Sequence, residues 1–166
     1  ILSNYTRIEV TPPSTTVERI AQRLMYVTRE NKRNLLHELL KAKDVKRALV
    51  FTRTKHGANR VAEQLGKSGI HAEAIHGNKS QNARQRSLAA FKAGSIRVLV
   101  ATDIAARGID IDGITHVINF ELPMEPESYV HRIGRTARAG TDGIAISFCD
   151  AEELGQLRQI ERAKIG

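Results

Sequence analysis

Five short runs of mostly aliphatic residues punctuate the chain: Ala48–Phe51, Ala72–Ile75, Val98–Ala101, His116–Phe120 and Ile144–Phe148. They are mostly continuous rather than alternating, the pattern of strands buried on both faces. Helical patterns separate the first three. Thr54 or a neighbour can cap a helix carrying Ala58, Val61, Ala62 and Leu65 and closing at Gly66 and Gly69. Ser80 can cap the next, whose stripe is Arg84, Leu88 and Phe91 and whose stop is Gly94. Leu35, Leu36, Leu39 and Leu40 mark a helix ahead of the first run, and Pro126 can start a short one. Asp150 with Glu153 three residues on makes a capping-box start for a terminal helix. This alternation predicts an α/β fold whose parallel strands are joined by right-handed crossovers.

Arg19–Thr28 fits both periods. Ile20, Leu24 and Val27 lie on one helical face, while Ile20, Gln22, Leu24 and Tyr26 alternate as in a strand, and the pattern does not decide. Pro12-Pro13 reads as a linker. Residues 1–15 are therefore expected to be an extended N-terminal or interdomain segment, and residues 16–166 one domain. There is no internal repeat or low-complexity stretch.

Composition narrows the classes. At 166 residues with 41% hydrophobic and 4% aromatic residues, the chain is too apolar for disorder and too poor in rings for an aromatic RNA-stacking platform. The single cysteine, Cys149, excludes an internal disulfide framework and a multi-Cys zinc site. No apolar run approaches a membrane span, so no membrane partner and a cytoplasmic location are expected. Nothing calls for an oligomer, so a monomer is expected.

The 26 Lys and Arg against 18 Asp and Glu give a formal charge of +8, concentrated in mid-chain. Between Asp44 and Glu63 lie Lys46, Arg47, Arg53, Lys55 and Arg60 with no acid; between Glu73 and Asp103 lie Lys79, Arg84, Arg86, Lys92 and Arg97, again with none. Solvated helix faces would explain this as well as a polyanion partner would.

Placement adds to the charge. Ligands of open parallel sheets bind beyond the carboxyl ends of the strands. Three of those ends run into Thr52-Arg53-Thr54-Lys55, into His76-Gly77-Asn78-Lys79-Ser80-Gln81, and into Thr102-Asp103 followed by Ala106-Arg107-Gly108-Ile109-Asp110. Each loop alone reads as turn chemistry, with Gly77 for a positive φ and Thr54 and Ser80 as caps. Three donor-rich loops on one edge describe a track for a sugar-phosphate backbone. Further on, Arg132, Arg135 and Arg138 recur every third residue beside Gly134 and Gly140, a cluster suited to the terminal phosphates of a nucleotide. A solvated helix end is the plainer alternative.

Other candidate sites fail. Gly66-Lys67-Ser68 looks like the end of a phosphate-binding loop, but Val61 stands where its first glycine is required. Asp110-Ile111-Asp112-Gly113 lacks the third acid and the distant Glu of a calcium loop. The six histidines show no paired metal spacing, so no metal site is expected.

Four motifs stand in order: Val50-Phe51-Thr52-Arg53-Thr54; His76-Gly77 with Gln81 and Arg84; Ala101-Thr102-Asp103 through Ala106-Arg107-Gly108-Ile109-Asp110; and His131-Arg132-Ile133-Gly134-Arg135-Thr136-Ala137-Arg138. In these the chain resembles the second RecA-like domain of a DEAD-box RNA helicase, most closely the bacterial RhlE type, from about Thr16 to Ile160. The resemblance implies a three-layer RecA-like domain with a mainly parallel central sheet flanked by helices on both faces. It implies that Thr54, Gly77, Arg84 and Thr102 hold the backbone of single-stranded RNA, with Arg53, Gln81 and Arg107 beside them. Arg135 and Arg138 would be arginine fingers for the γ-phosphate of ATP, bound with Mg2+ mainly by an N-terminal RecA-like domain. Asp110, with Gly108 beside it, would meet the nucleotide, and His131 would link to that domain. Ala137 stands where many members carry glycine; with no change of charge, little consequence is expected.

The first domain's motifs are missing: no Gly-x-x-x-x-Gly-Lys-Ser/Thr, no Asp-Glu-Ala-Asp, no Ser-Ala-Thr, no adenine-reading glutamine. The chain is therefore expected to be the C-terminal half of an ATP-dependent RNA helicase, inactive alone, cut from a longer protein and stopping within a helical pattern. A stand-alone RNA-binding module and a DNA translocase domain are the rival readings.

Overall fold

The computed structural model describes residues 19–138 and 140–163; the stretch read as a linker lies outside them. Six strands form one sheet, every pair parallel: β1 (Ile20–Tyr26), β2 (Ala48–Phe51), β3 (Ala72–Ile75), β4 (Val98–Ala101), β5 (His116–Asn119) and β6 (Gly143–Cys149), in the spatial order β1-β6-β5-β2-β4-β3. The helices are α1 (Lys32–Leu40), α2 (Lys55–Lys67), α3 (Gln81–Ala93), α4 (Asp103–Ala106), α5 (Pro126–Ile133) and α6 (Leu154–Arg162). Single 3-10 turns, Arg29–Asn31 and Ala151–Glu153, lead into α1 and α6.

The chain runs from β1 through β2 out to β3, then returns through β4 and β5 to β6. Right-handed crossovers on both legs put the outward helices on one face and the returning helices on the other. The cores divide in that way. Leu36, Leu39, Val61 and Leu65 of α1 and α2 meet Ala48, Val50, Val98 and Val100. Phe91 of α3 and Ala105 of α4 meet Leu49, Phe51, Leu99 and Val117 on the opposite face. Tyr129 and Ile133 of α5, with Leu157 and Ile160 of α6, continue that face over Leu24, Ala145 and Cys149. Alternate residues of β2 thus serve opposite layers, which is why its run is apolar throughout.

The N-capping expectations hold, while α2 runs through Gly66 to Lys67 and stops ahead of Gly69 at φ +88°. Thr54 Oγ1 accepts from Gly57 N–H at 3.0 Å, Ser80 Oγ from Ala83 N–H at 3.1 Å, and Gly94 closes α3 at φ +85°. Asp150 and Glu153 form the reciprocal capping box. Glu153 does more than cap: nearly inaccessible, it ion-pairs with buried Lys32 of α1 and accepts from Leu122 N–H at 2.7 Å, so one carboxylate joins α1, α6 and the loop after β5. Arg19–Thr28 resolves around the strand β1, paired among the described strands to β6 alone. Its one buried polar residue, Gln22, accepts from the Tyr129 hydroxyl at 2.8 Å. Among the described residues no helix is long and apolar enough to cross a membrane.

Candidate functional site

β2 sends its helix to one face while its neighbours β4 and β5 send theirs to the other, so their carboxyl ends flank the crevice expected at a topological switch point. Arg132 fills its floor. The guanidinium pairs with Asp103 through two hydrogen bonds, Nε to Oδ1 at 2.6 Å and Nη2 to Oδ2 at 2.9 Å. Nη1 donates to Asn119 Oδ1 and the Glu121 carbonyl, and the plane lies 5.0 Å from the centre of the Phe51 ring. Arg132 is 1% exposed. The three arginines do not share one job: Arg132 is an internal tie joining β2, β4, β5 and α5. The signal was present, because Tyr129, Arg132 and Ile133 fall at i, i+3 and i+4 on the buried face of α5.

Arg135 and Arg138 face outward from the turn that follows. Arg135 Nη1 donates to the Ile109 carbonyl at 2.7 Å, but its Nε is buried without a hydrogen-bond partner. Burial, reinforced by the neighbouring Arg138 charge and opposed by Asp110, lowers its pKa from the usual arginine value. Arg138 ion-pairs with Asp110. A cleft of about 320 Å³ opens here, lined by Phe51, Asp103, Gly108, His131, Arg132 and Arg135. His131 is exposed on its rim. Gly108 sits at φ +81°, a backbone requirement that accounts for the glycine without a ligand.

The turn is held from below. Thr136, buried, donates its hydroxyl to the Ile114 carbonyl, and Gly143 leaves the room Thr136 needs. Ala137 adopts φ +58°, the left-handed region. Glycine adopts that conformation at less cost, a backbone contribution that the comparison of charge alone does not weigh.

The donor-rich loops meet on the β2-β4-β3 side of the crevice. Arg84 Nη2 reaches the Arg107 carbonyl at 3.4 Å, tying the start of α3 to the loop after β4. Gln81 is exposed in the first turn of α3. Thr102 heads α4 with no capping bond from its hydroxyl. Thr54 is exposed but spends its oxygen on the cap. The positive φ expected at Gly77 is absent, and a Cβ there would meet nothing within 4 Å. The fold does not require glycine at 77; an outside surface coming close to the backbone would. Arg53 goes elsewhere: its guanidinium lies 3.5 Å from Glu121 and 3.9 Å from Glu153, towards β5 and β6 and away from Arg84 and Thr102. Among the described residues, no group of three or more His, Cys, Asp or Glu could hold a metal ion.

Residues 31–140 match the family of helicase conserved C-terminal domains. The DEAD-box ATP-dependent RNA helicase CshA of Geobacillus kaustophilus is 48% identical over 155 residues, 93% of this chain and 33% of that protein. The chain thus spans about a third of the length of the curated relative. The E. coli DEAD-box protein SrmB, solved bound to regulator of ribonuclease activity A, superposes with a TM-score of 0.80 at 39% identity, covering 84% of this chain and 82% of that one. S. cerevisiae Dbp5 bound to RNA and ADP BeF3 superposes with a TM-score of 0.81 at 31% identity, over 93% of this chain and 42% of that one. The curated relative is of the CshA kind, so the RhlE subtype expected from the motifs is not carried by this likeness.

Proposed function

The chain belongs to the helicase conserved C-terminal domain family, in its DEAD-box branch, and from that premise we propose that it is the second RecA-like half of an ATP-dependent RNA helicase motor. It supplies part of the single-stranded RNA grip and the arginines that act on ATP, which is held with Mg2+ mainly by an N-terminal RecA-like domain of the same protein. The observation that carries this is the pairing of two arginines at the cleft, Arg135 in its lining and Arg138 beside it, where burial and the neighbouring Arg138 charge lower the Arg135 pKa. An anion bound there offsets that repulsion.

Bound ATP supplies the phosphoryl group, on which negative charge develops as it is transferred to water. Arg135, oriented by the Ile109 carbonyl, turns its partly exposed guanidinium to that charge. Arg138 exchanges the Asp110 carboxylate for a phosphate oxygen, which frees Asp110 to accept from a ribose hydroxyl. Arg132 touches no substrate; it fixes α5 so that both outer arginines are aimed before ATP arrives. On the other side of the crevice, Thr102, Arg84 and Gln81 contact successive backbone groups of a single strand, and Gly77 lets the backbone come close. A strand held there and on the partner domain together is bent out of duplex geometry, and reopening of the cleft after hydrolysis releases it. The solved complex of Dbp5 with RNA and ADP BeF3, a relative by fold and sequence, supports both sites.

The test is RNA-stimulated ATPase of the intact parent protein. Arg135→Ala and Arg138→Ala should each lower turnover by about 10³-fold or more while nucleotide binding is largely retained. Near-normal turnover in either variant overturns that arginine's role.

A further inference from the structure

We infer that His76 is a positioning residue for the loop that follows β3, and that it works only as the neutral imidazole carrying its proton on Nε2. The functional part of this rests on the RNA reading above. His76 is buried at 5% exposure, while Gly77 through Ser80 are exposed. Each ring nitrogen has a partner, and the one at Nδ1 has fixed polarity. Nδ1 lies 3.2 Å from the backbone N–H of Asn78, a group that can only donate, so Nδ1 must be the bare acceptor. Nε2 lies 2.9 Å from Asn59 Oδ1 on α2, so it must carry the hydrogen and donate. Either the other tautomer or the imidazolium would point a ring N–H at a backbone N–H.

The ring thereby ties α2 to the loop. Lys79 N–H donates to the His76 carbonyl at 3.1 Å, and Ser80 then caps α3. The backbone at Gly77 and the start of the helix bearing Gln81 and Arg84 are both set by this one imidazole. The charged groups acting on it are Lys79 of the loop and Lys55 and His56 of α2. Burial first, then those three, lower its pKa from the usual histidine value. At neutral pH the ring is therefore uncharged and the loop is set. Below the His76 pKa, Nδ1 gains a proton, the Asn78 bond is replaced by repulsion, and the loop is released. If only the neutral form binds, RNA affinity falls by up to about tenfold per pH unit below that pKa.

The test follows the affinity of this chain for a labelled oligouridylate from about pH 8 down to about pH 5, across the histidine range. His76→Asn carries its Oδ1 where Nδ1 sits, so it keeps the acceptor for Asn78 and cannot titrate. His76→Gln places its amide nitrogen near Nε2, so it keeps Asn59 and loses Asn78. His76→Asn should bind within about threefold of wild type at neutral pH, without the acid limb, and His76→Gln should bind about tenfold more weakly throughout, as the loss of one hydrogen bond allows. An unchanged acid limb in His76→Asn assigns the proton elsewhere and overturns the proposal, as does wild-type binding by His76→Gln when Gly77→Ala weakens binding. A second measurement needs neither RNA nor a variant: in nitrogen-15 NMR of this chain, the Asn78 amide must shift with the titration of the His76 ring. An Asn78 amide that ignores the ring overturns the positioning role itself. If that amide does follow the ring while neither Gly77→Ala nor the His76 variants alter RNA affinity, the RNA reading has failed and the positioning role stands.

Discussion

Arg132 and Asp103 meet in a two-pronged ion pair, with both guanidinium–carboxylate contacts under 3 Å and the arginine sealed from solvent. Truncating one partner of such a pair strands the other, at a cost of about 3–5 kcal/mol. Asp103→Ala, which leaves the buried Arg132 charge without its carboxylate, should cost that much in urea unfolding. The exposed Arg138–Asp110 pair supplies the contrast: Arg138→Ala should shift stability by less than about 1 kcal/mol.

Gly143→Ala should be as damaging as a core mutation. The added methyl would sit 2.8 Å from the Ala137 backbone nitrogen and closer still to the Thr136 side chain, neither of which can swing away. A loss of about 2–3 kcal/mol is expected from overpacking, read by urea denaturation.

Ala137 sits where opposing terms nearly cancel. Glycine would relieve about 1–2 kcal/mol of left-handed strain but would forfeit about 0.8 kcal/mol of buried methyl and about 0.5–1 kcal/mol of chain entropy. Ala137→Gly should therefore melt close to wild type. Ala137→Val, β-branched at φ +58°, should be clearly destabilised. Thermal unfolding of the two variants side by side checks both.

Glu153→Ala should cost about 3–5 kcal/mol, because it removes the nearer of two carboxylates from buried Lys32 and leaves the Leu122 N–H without its acceptor. Chemical denaturation of the variant gives the value.

Gly77→Ala should separate fold from function. With ordinary φ and open space at that position, stability should hold or rise by up to about 1 kcal/mol. Affinity for single-stranded RNA should fall, because the methyl occupies the surface offered to the strand; fluorescence anisotropy reads it.

The central strands β2 and β4 were legible because residues such as Val50 and Leu99 are buried on alternate faces of a doubly covered sheet, which leaves an unbroken apolar run. β1 was not. Its pattern is diluted by Arg23 and exposed Tyr26, and the reason Gln22 is inside, the Tyr129 hydroxyl, is remote in sequence. The site divides in the same way. Arg135, Arg138 and Gly77 could be found by motif and spacing. The inward role of Arg132, the diversion of Arg53 to Glu121 and the left-handed Ala137 all depend on partners that only the fold brings together.

Because β1 pairs, among the described strands, with β6 alone, it has no strand of this sheet to join until Gly143–Cys149 emerges from the ribosome. At about 5–20 residues per second, the interval between them is on the order of ten seconds. For that time Ile20–Tyr26 lacks its sheet partner, the kind of segment that seeks foreign strands and that flanking charge helps to hold off. A nascent chain released before Gly143 would keep its central strands and leave that segment permanently unclaimed.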